Sequence, residues 1–390
     1  MTTPDVSLEP DDLLAEASQR ADGLTDLGEE PFREGLERFS ASLESEGKLN
    51  PLGRVIAKER ALGHAVNRLR YVDDRKTHPE IAKQEIEKPV FIVGLPRTGT
   101  TILHDILAKD PSNRAPMTWE TMFPSPPPEA ATFDTDPRIA QCAATFPDVF
   151  DQIPGFKAMH PMGAELTQEC VTMMGEAMIT PLFHNQFRVP SYQDWVDDEA
   201  DFGPVYAFHR KQLQHLQSRH ARDRWILKTG AHMWGLAHLL ETYPDARIVF
   251  THRDPVDSMT SYASLTSLVR TMGSDSVDRE EIAADWTARL QKVVARTLAV
   301  RNARDYPDAQ FTDVLFSDFV ADPFATVRRI YEAFGIPMSA EAEARVRAFI
   351  DDNPKGKHGV HEYAAEDYGV DPRAVRDAFA GYVERFGLAP

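Results

Sequence analysis

Cysteine is nearly absent: Cys142 and Cys170 are the only two in 390 residues. They form no CxxC pair, which excludes a disulfide framework and a cysteine-built metal cluster and points to two buried thiols in a reducing compartment. Positive charge is also scarce, with 43 Lys and Arg against 61 Asp and Glu and a net charge of −18. A chain that holds DNA or RNA normally carries a basic field, so nucleic acid is not an expected partner. The same deficit argues against a polyanionic acceptor, although a basic pocket can sit inside an acidic surface. Long hydrophobic runs are missing. No segment approaches the ~20 apolar residues of a membrane span, and the opening MTTPDVSLEPDDLLAEA has neither the basic nor the apolar region of a signal peptide. The expectation is a cytoplasmic protein without stable membrane association. Internal repeats and low-complexity tracts are lacking too.

What is present divides at about residue 86. Residues 1–85 read as a polar helical extension with helices over Asp11–Arg20, Pro31–Leu43 and Pro51–Tyr71. In the last of these, Val55, Leu62, Val66 and Leu69 recur at helical spacing. From residue 86 to 390 the pattern is that of one α/β domain. Val90 to Leu95 is an apolar run without alternation, as in a strand buried on both faces of a parallel sheet. Trp225–Thr229, Ala246–Thr251 and Gln310–Phe316 read as further strands, with helices over Ile102–Ala108, Leu236–Tyr243 and Pro255–Leu268. Strands alternating with helices predict a parallel β-sheet flanked by helices. Residues 111–165, rich in Pro, Met and aromatics, read as a loop wall around a pocket.

Two segments carry chemistry. Gly94-Leu-Pro-Arg97-Thr98-Gly99-Thr100-Thr101 lies between a strand and a helix. Glycines there let backbone N–H groups approach an anion, and the helix presents its positive end. The spacing is close to the ATP-binding GxxxxGK[ST], but Thr100 stands where the phosphate-binding lysine would be, and Arg97 supplies a cation earlier in the loop. A kinase would lack a main contact to its transferred phosphate. The second segment ends a strand in His252-Arg253-Asp254-Pro255, with Ser261 eight positions after Arg253 on the next helix. Eight positions is about two turns, so both side chains can meet one anion at the helix start.

Together these motifs resemble the sulfotransferases that use 3′-phosphoadenosine 5′-phosphosulfate (PAPS), in particular a bacterial branch. The likeness rests on FIVGLPRTGTT, then TWE and PPP, LKTGAH, THRDP and KGKHG, and spans roughly residues 30–370. The resemblance implies a P-loop-like sulfotransferase fold and sulfuryl transfer to a hydroxyl or amine of a small hydrophobic acceptor, with no metal required. It implies that Arg97, Thr98, Gly99, Thr100 and Thr101 hold the 5′-phosphosulfate and that Arg253 and Ser261 hold the 3′-phosphate. Lys355, Gly356 and Lys357 are expected in a loop over the nucleotide, and Arg97 and Lys228 beside the transferring group. For the general base the register leaves four candidates. Relatives with Lys-Thr-His after this strand would have the histidine at Gly230, so His232 lies two residues late. Branches with a glutamate beyond the first helix point to Glu120, which is preferred; His160 and Glu165 remain. Trp119, Met122, Phe123, Phe156, Met159 and Met162 are expected to wall the acceptor pocket. A P-loop kinase and a catalytically silent nucleotide-binding protein are the alternatives. A homodimer is compatible with the sequence.

Overall fold

A computed structural model of the chain describes residues 6–28, 31–146, 162–303, 307–354 and 364–388. Among the described residues the centre is a five-stranded sheet. Its strands are β1 (Val90–Gly94), β2 (Asn113–Arg114), β3 (Arg224–Lys228), β4 (Arg247–His252) and β5 (Phe311–Leu315). They lie in the order β2-β3-β1-β4-β5 and every pair is parallel. The four strands expected from sequence form within a residue or two of their expected bounds; β2 is too short to carry a pattern of its own.

The absence of alternation in β1 has a simple cause: both faces are covered. Phe91 and Val93 face one core with Trp225, Leu227, Ile248 and Phe250. Val90 and Ile92 face a second with Ile226, Val249 and Val314, closed by Leu103, Ile106, Val327 and Ile330 from helices on that side. The chain runs from β1 to one side of the sheet, then returns to place β4 on the other side. The carboxyl end of β1 is therefore the switch point where open α/β sheets bind ligands.

The N-terminal helices Pro10–Arg20, Phe32–Glu46 and Pro51–Thr77 are not a detached arm. Leu13, Phe32, Phe39, Leu62 and Leu69 belong to the same core as Phe91 and Phe250. The third helix also feeds a buried polar network. Asn67 Nδ2 donates to Glu176 Oε1 at 3.0 Å, Gln212 Nε2 donates to Glu176 Oε2, and Arg68 Nη1 donates to the Glu176 carbonyl at 2.8 Å. Polar partners of this kind lock one packing arrangement, because each group left unpaired inside would cost about 1–3 kcal/mol.

Burial also fixes the protonation of several core histidines. It holds His64, His104 and His209 down to about 3 and His184 down to about 4. Unfolded, each returns to about 6.5. As pH falls below that value the unfolded state takes up protons first, so stability is lost until the folded values are passed. Burial pushes Glu176 the other way, up to about 8, so its own contribution declines as pH rises from its ordinary value towards 8. The histidines outnumber it. The melting temperature is expected to fall steadily between about pH 6.5 and pH 4, each histidine adding a slope of about 1.4 kcal/mol per pH unit. Thermal melts across that range check this; a flat profile would mean that the histidines charge without unfolding.

Candidate active site

The pairing of β1 with β4 runs from Val90↔Arg247 to Gly94↔Thr251 and sets the two motifs side by side. Gly94 is required there. At φ 155° it lies so close to β4 that a Cβ would stand 2.3 Å from Thr251 Oγ1 and 2.6 Å from the Thr251 carbonyl oxygen. Thr98 continues the contact, its hydroxyl 2.6 Å from that of Thr251 and donating to the Leu95 carbonyl at 2.7 Å. The loop then turns through Arg97, a non-glycine residue at φ 66°, and Gly99 at φ 83°. A left-handed backbone at arginine costs on the order of 1–3 kcal/mol and persists only where its surroundings hold it. They do so here: Arg253 Nη1 donates to the Arg97 carbonyl at 3.0 Å and Arg97 Nε donates to Ser261 Oγ at 3.1 Å. Arg97, far away in sequence, thus forms one contact group with Arg253 and Ser261.

Arg253 is braced on two further sides. Its Nη2 donates to Asp257 Oδ2 at 3.0 Å, and its guanidinium stacks 4.5 Å from the Phe316 ring centroid. It makes no ion pair with the adjacent Asp254, which caps the helix Pro255–Arg270 through Val256 N and pairs with Arg376 at 3.0 Å. Gly99 precedes the helix Thr100–Leu107, whose first turn has no side-chain cap. Its amides and dipole are thereby left directed at the space before it.

Lys228 ends β3 with a side chain only 2% exposed. Its Nζ donates to Thr101 Oγ1 at 3.0 Å and pairs with the carboxylate of Glu169. Glu169 was missed in the sequence because no motif surrounds it. It arrives through a strap: Thr118 N donates to the Leu166 carbonyl at 2.9 Å, Trp119 N to Ala164 at 3.0 Å and Gln168 N to Pro116 at 2.7 Å.

Two expected bases are corrected. Glu120 is fully buried; both its oxygens accept from Arg114, at 2.7 and 2.6 Å, and Oε1 also accepts from Met117 N at 2.7 Å. That carboxylate is a closed ion pair and helix cap, with no face left towards an acceptor. His232 is fully buried, its Nδ1 2.9 Å from the Tyr206 hydroxyl and its ring edge-on to Phe91, and burial holds it neutral. A histidine at Gly230 would not fit, since a Cβ there would stand 2.8 Å from the Gly94 carbonyl oxygen. Glu165 lies in an exposed turn. Phe156, Met159, His160, Lys355, Gly356 and Lys357 lie outside the described residues.

Of the expected acceptor wall, Trp119 is a core residue at 1% exposure, while Met122, Phe123 and Met162 pack half-buried against it. Met162 also reaches a second cluster with Leu265, Leu268, Val269 and Met272. Tyr262, Leu265 and Leu268 are half-buried at helical spacing on Pro255–Arg270, beginning one residue after Ser261, and Met272 follows in the turn just past the helix. Their helical spacing was visible in the sequence.

Residues 89–340 match the family model described as Sulfotransferase family. The chain belongs to the sulfotransferase family. The crystal structure of sulfotransferase STF1 from Mycobacterium tuberculosis H37Rv is similar at 33% identity, covering 97% of this chain and 99% of that one with a TM-score of 0.86. Sulfotransferase STF9 from Mycobacterium avium superposes with a TM-score of 0.90 at 28% identity, covering 99% and 98%. The omega-hydroxy-beta-dihydromenaquinone-9 sulfotransferase Stf3 of Mycobacterium bovis is 24% identical over 312 residues, 77% of this chain and 75% of that protein. This sulfotransferase therefore shares its family's chemistry of group transfer and its parallel α/β fold.

Glu120→Gln should leave Arg114 buried without its counter-charge. Breaking such a pair costs about 3–5 kcal/mol. The variant is expected to show a markedly lower urea midpoint than the wild type; an unchanged midpoint would mean that the pair is dispensable to the fold.

Proposed function

We propose that this sulfotransferase takes its sulfuryl group from PAPS and passes it to the hydroxyl of a small hydrophobic acceptor. When bound, PAPS supplies an activated sulfuryl group whose leaving charge comes to rest on the 5′-phosphate. The observation that carries the reading is the single contact group of Arg97, Arg253 and Ser261 beside an uncapped helix start. Two cations and a hydroxyl within hydrogen-bond reach of one another suit a nucleotide with phosphates at two positions. Thr98, Gly99, Thr100, Thr101 and Arg97 would hold the 5′ end, and Arg253 with Ser261 the 3′-phosphate. The lysine of an ATP loop is replaced by Thr100, and the buried ammonium comes instead from β3 through Lys228. Lys228 enters from the side of the sheet opposite β4, so it suits the transferring group more than the 3′-phosphate. In a dry site such preorganised donors stabilise developing charge strongly.

Acceptor chemistry follows from the surface beside the loop. Among the described residues, Ile102 and Leu166 are large apolar side chains left exposed, at 37% and 38%. They lie on segments joined by the Thr167 hydroxyl donating to Asp105 at 2.6 Å. With the face from Tyr262 to Met272 they favour an acceptor with an apolar body, a class to which the hydroxylated dihydromenaquinone in the name of the Mycobacterium bovis relative belongs. No helix among the described residues is long and apolar enough to cross a membrane.

The test is a thermal shift with adenosine 3′,5′-bisphosphate against Mg-ATP. A ligand at 100 times its Kd stabilises by about 2.7 kcal/mol. Stabilisation by the bisphosphate without metal is expected; stabilisation by Mg-ATP alone would replace this reading with that of a kinase. Arg253→Ala should weaken bisphosphate binding by roughly 10–150-fold, the worth of a charge-assisted contact. Calorimetry measures this, and equal affinity would remove Arg253 from the 3′-phosphate site.

A further inference from the structure

The donor side of the site is furnished with cations, Glu120 and His232 are closed off, and among the described residues the carboxylate of Glu169 stands beside Lys228. We propose that Glu169 is the general base that takes the proton from the acceptor, an assignment that rests on the sulfuryl-transfer reading. Its carboxylate pairs with the ammonium of Lys228, and that same ammonium donates to Thr101 Oγ1 at 3.0 Å in the first turn after the phosphate loop. One side chain therefore separates Glu169 from the loop that would hold the leaving phosphate. The Glu169 side chain is 25% exposed whereas that of Glu120 is 0% exposed, so Glu169 alone of the two can be reached by an incoming molecule.

Its placement is also on the acceptor side. The strap that delivers Glu169 is bonded along its length to residues 116–119, and Met162 at its start packs against Leu265 and Leu268. Among the described residues, the groups facing Glu169 include Lys228 from β3, Tyr262 from Pro255–Arg270, His104 from Thr100–Leu107 and the neighbouring Cys170. Burial keeps His104 neutral down to about 3 and pushes the Cys170 thiol up to about 12. Neither competes as a base near neutral pH, and Tyr262 is pushed upward by its burial.

In the step, the acceptor oxygen bonds to sulfur as its proton passes to a Glu169 oxygen. The bond between sulfur and the oxygen of the 5′-phosphate breaks, and its electron pair stays on that phosphate. Lys228, held by Glu169 beforehand, is released towards the developing negative charge as the carboxylate becomes neutral. Base and electrophilic cation are thus exchanged within one ion pair, with no other proton carrier needed.

The experiment compares wild type, Glu169→Gln and Glu169→Asp with 2-naphthol as acceptor and, in parallel, with water as acceptor in the slow hydrolysis of PAPS. Calorimetry with adenosine 3′,5′-bisphosphate gives a readout independent of turnover. Glu169→Gln is expected to lose about 10²–10⁴-fold in kcat and to lose the acidic limb of the kcat/KM profile. It should bind the bisphosphate no more weakly than wild type, because Lys228 is freed. Glu169→Asp should retain that limb at a reduced rate. An acidic limb that survives in Glu169→Gln, or bisphosphate binding that collapses with it, would make Glu169 a positioning residue for Lys228 and overturn the proposal. A wild type that binds the bisphosphate yet consumes PAPS with neither acceptor would overturn sulfuryl transfer itself, a different result from a wild type matched by its Gln variant.

Discussion

The parallel pairing of β1 with β4 is the contact on which the site depends. Both strands end at the same level, so the turn after Gly94 and the turn after His252 open into one crevice. The close approach of Gly94 to Thr251 leaves no room for a side chain between them, and the Thr98 hydroxyl ties the loop to the same threonine. From this fixed point the loop can carry Arg97 in a left-handed conformation that an unsupported arginine would abandon. The stabilisation of the turn and the arrangement of the cations are the same set of hydrogen bonds. Arg253 holds the Arg97 carbonyl, and Ser261 receives its guanidinium.

The third strand brings a different resource. Lys228 is a nearly buried ammonium, and an isolated charge in that position would be expensive. It is held by a hydroxyl from the helix Thr100–Leu107 and a carboxylate from the strap. A group so placed is preorganised, and any change in the charge of Glu169 is felt directly by the cation next to the loop. The core beneath is built to hold such geometry still. The N-terminal helices share it, and Asn67, Arg68 and Gln212 lock them to the segment around Glu176.

Much of the fold was legible. A strand buried on both faces announces itself by an unbroken apolar run, as Val90–Gly94 does. The Gly94–Thr101 loop and the Arg253–Ser261 segment were legible as motifs because each is set by local spacing around one strand end and one helix start, whereas their meeting depends on the pairing of β1 with β4. Glu120 was a reasonable candidate by register. It failed because an acid is decided by what lies opposite it, and Arg114, in the short β2, was not visible as a partner. His232 failed for the same reason: two residues beyond the strand, the chain turns its ring into the core against Tyr206 and Phe91. The segment that carries Glu169 has no periodicity, since it is a strap bonded to another loop and not a helix or strand at that point.

By itself the sequence determined the alternation of strand and helix, the absence of an ATP-loop lysine, and the cations Lys228 and Arg253 at or just past two strand ends. These follow from hydrophobic patterning and short-range geometry, which act within a few residues. Only the tertiary structure decided that Glu120 is sealed against Arg114 and that Lys228 stands between Thr101 and Glu169. Burial and ion pairing join residues scores of positions apart, and no local pattern records the partner that a charge will meet.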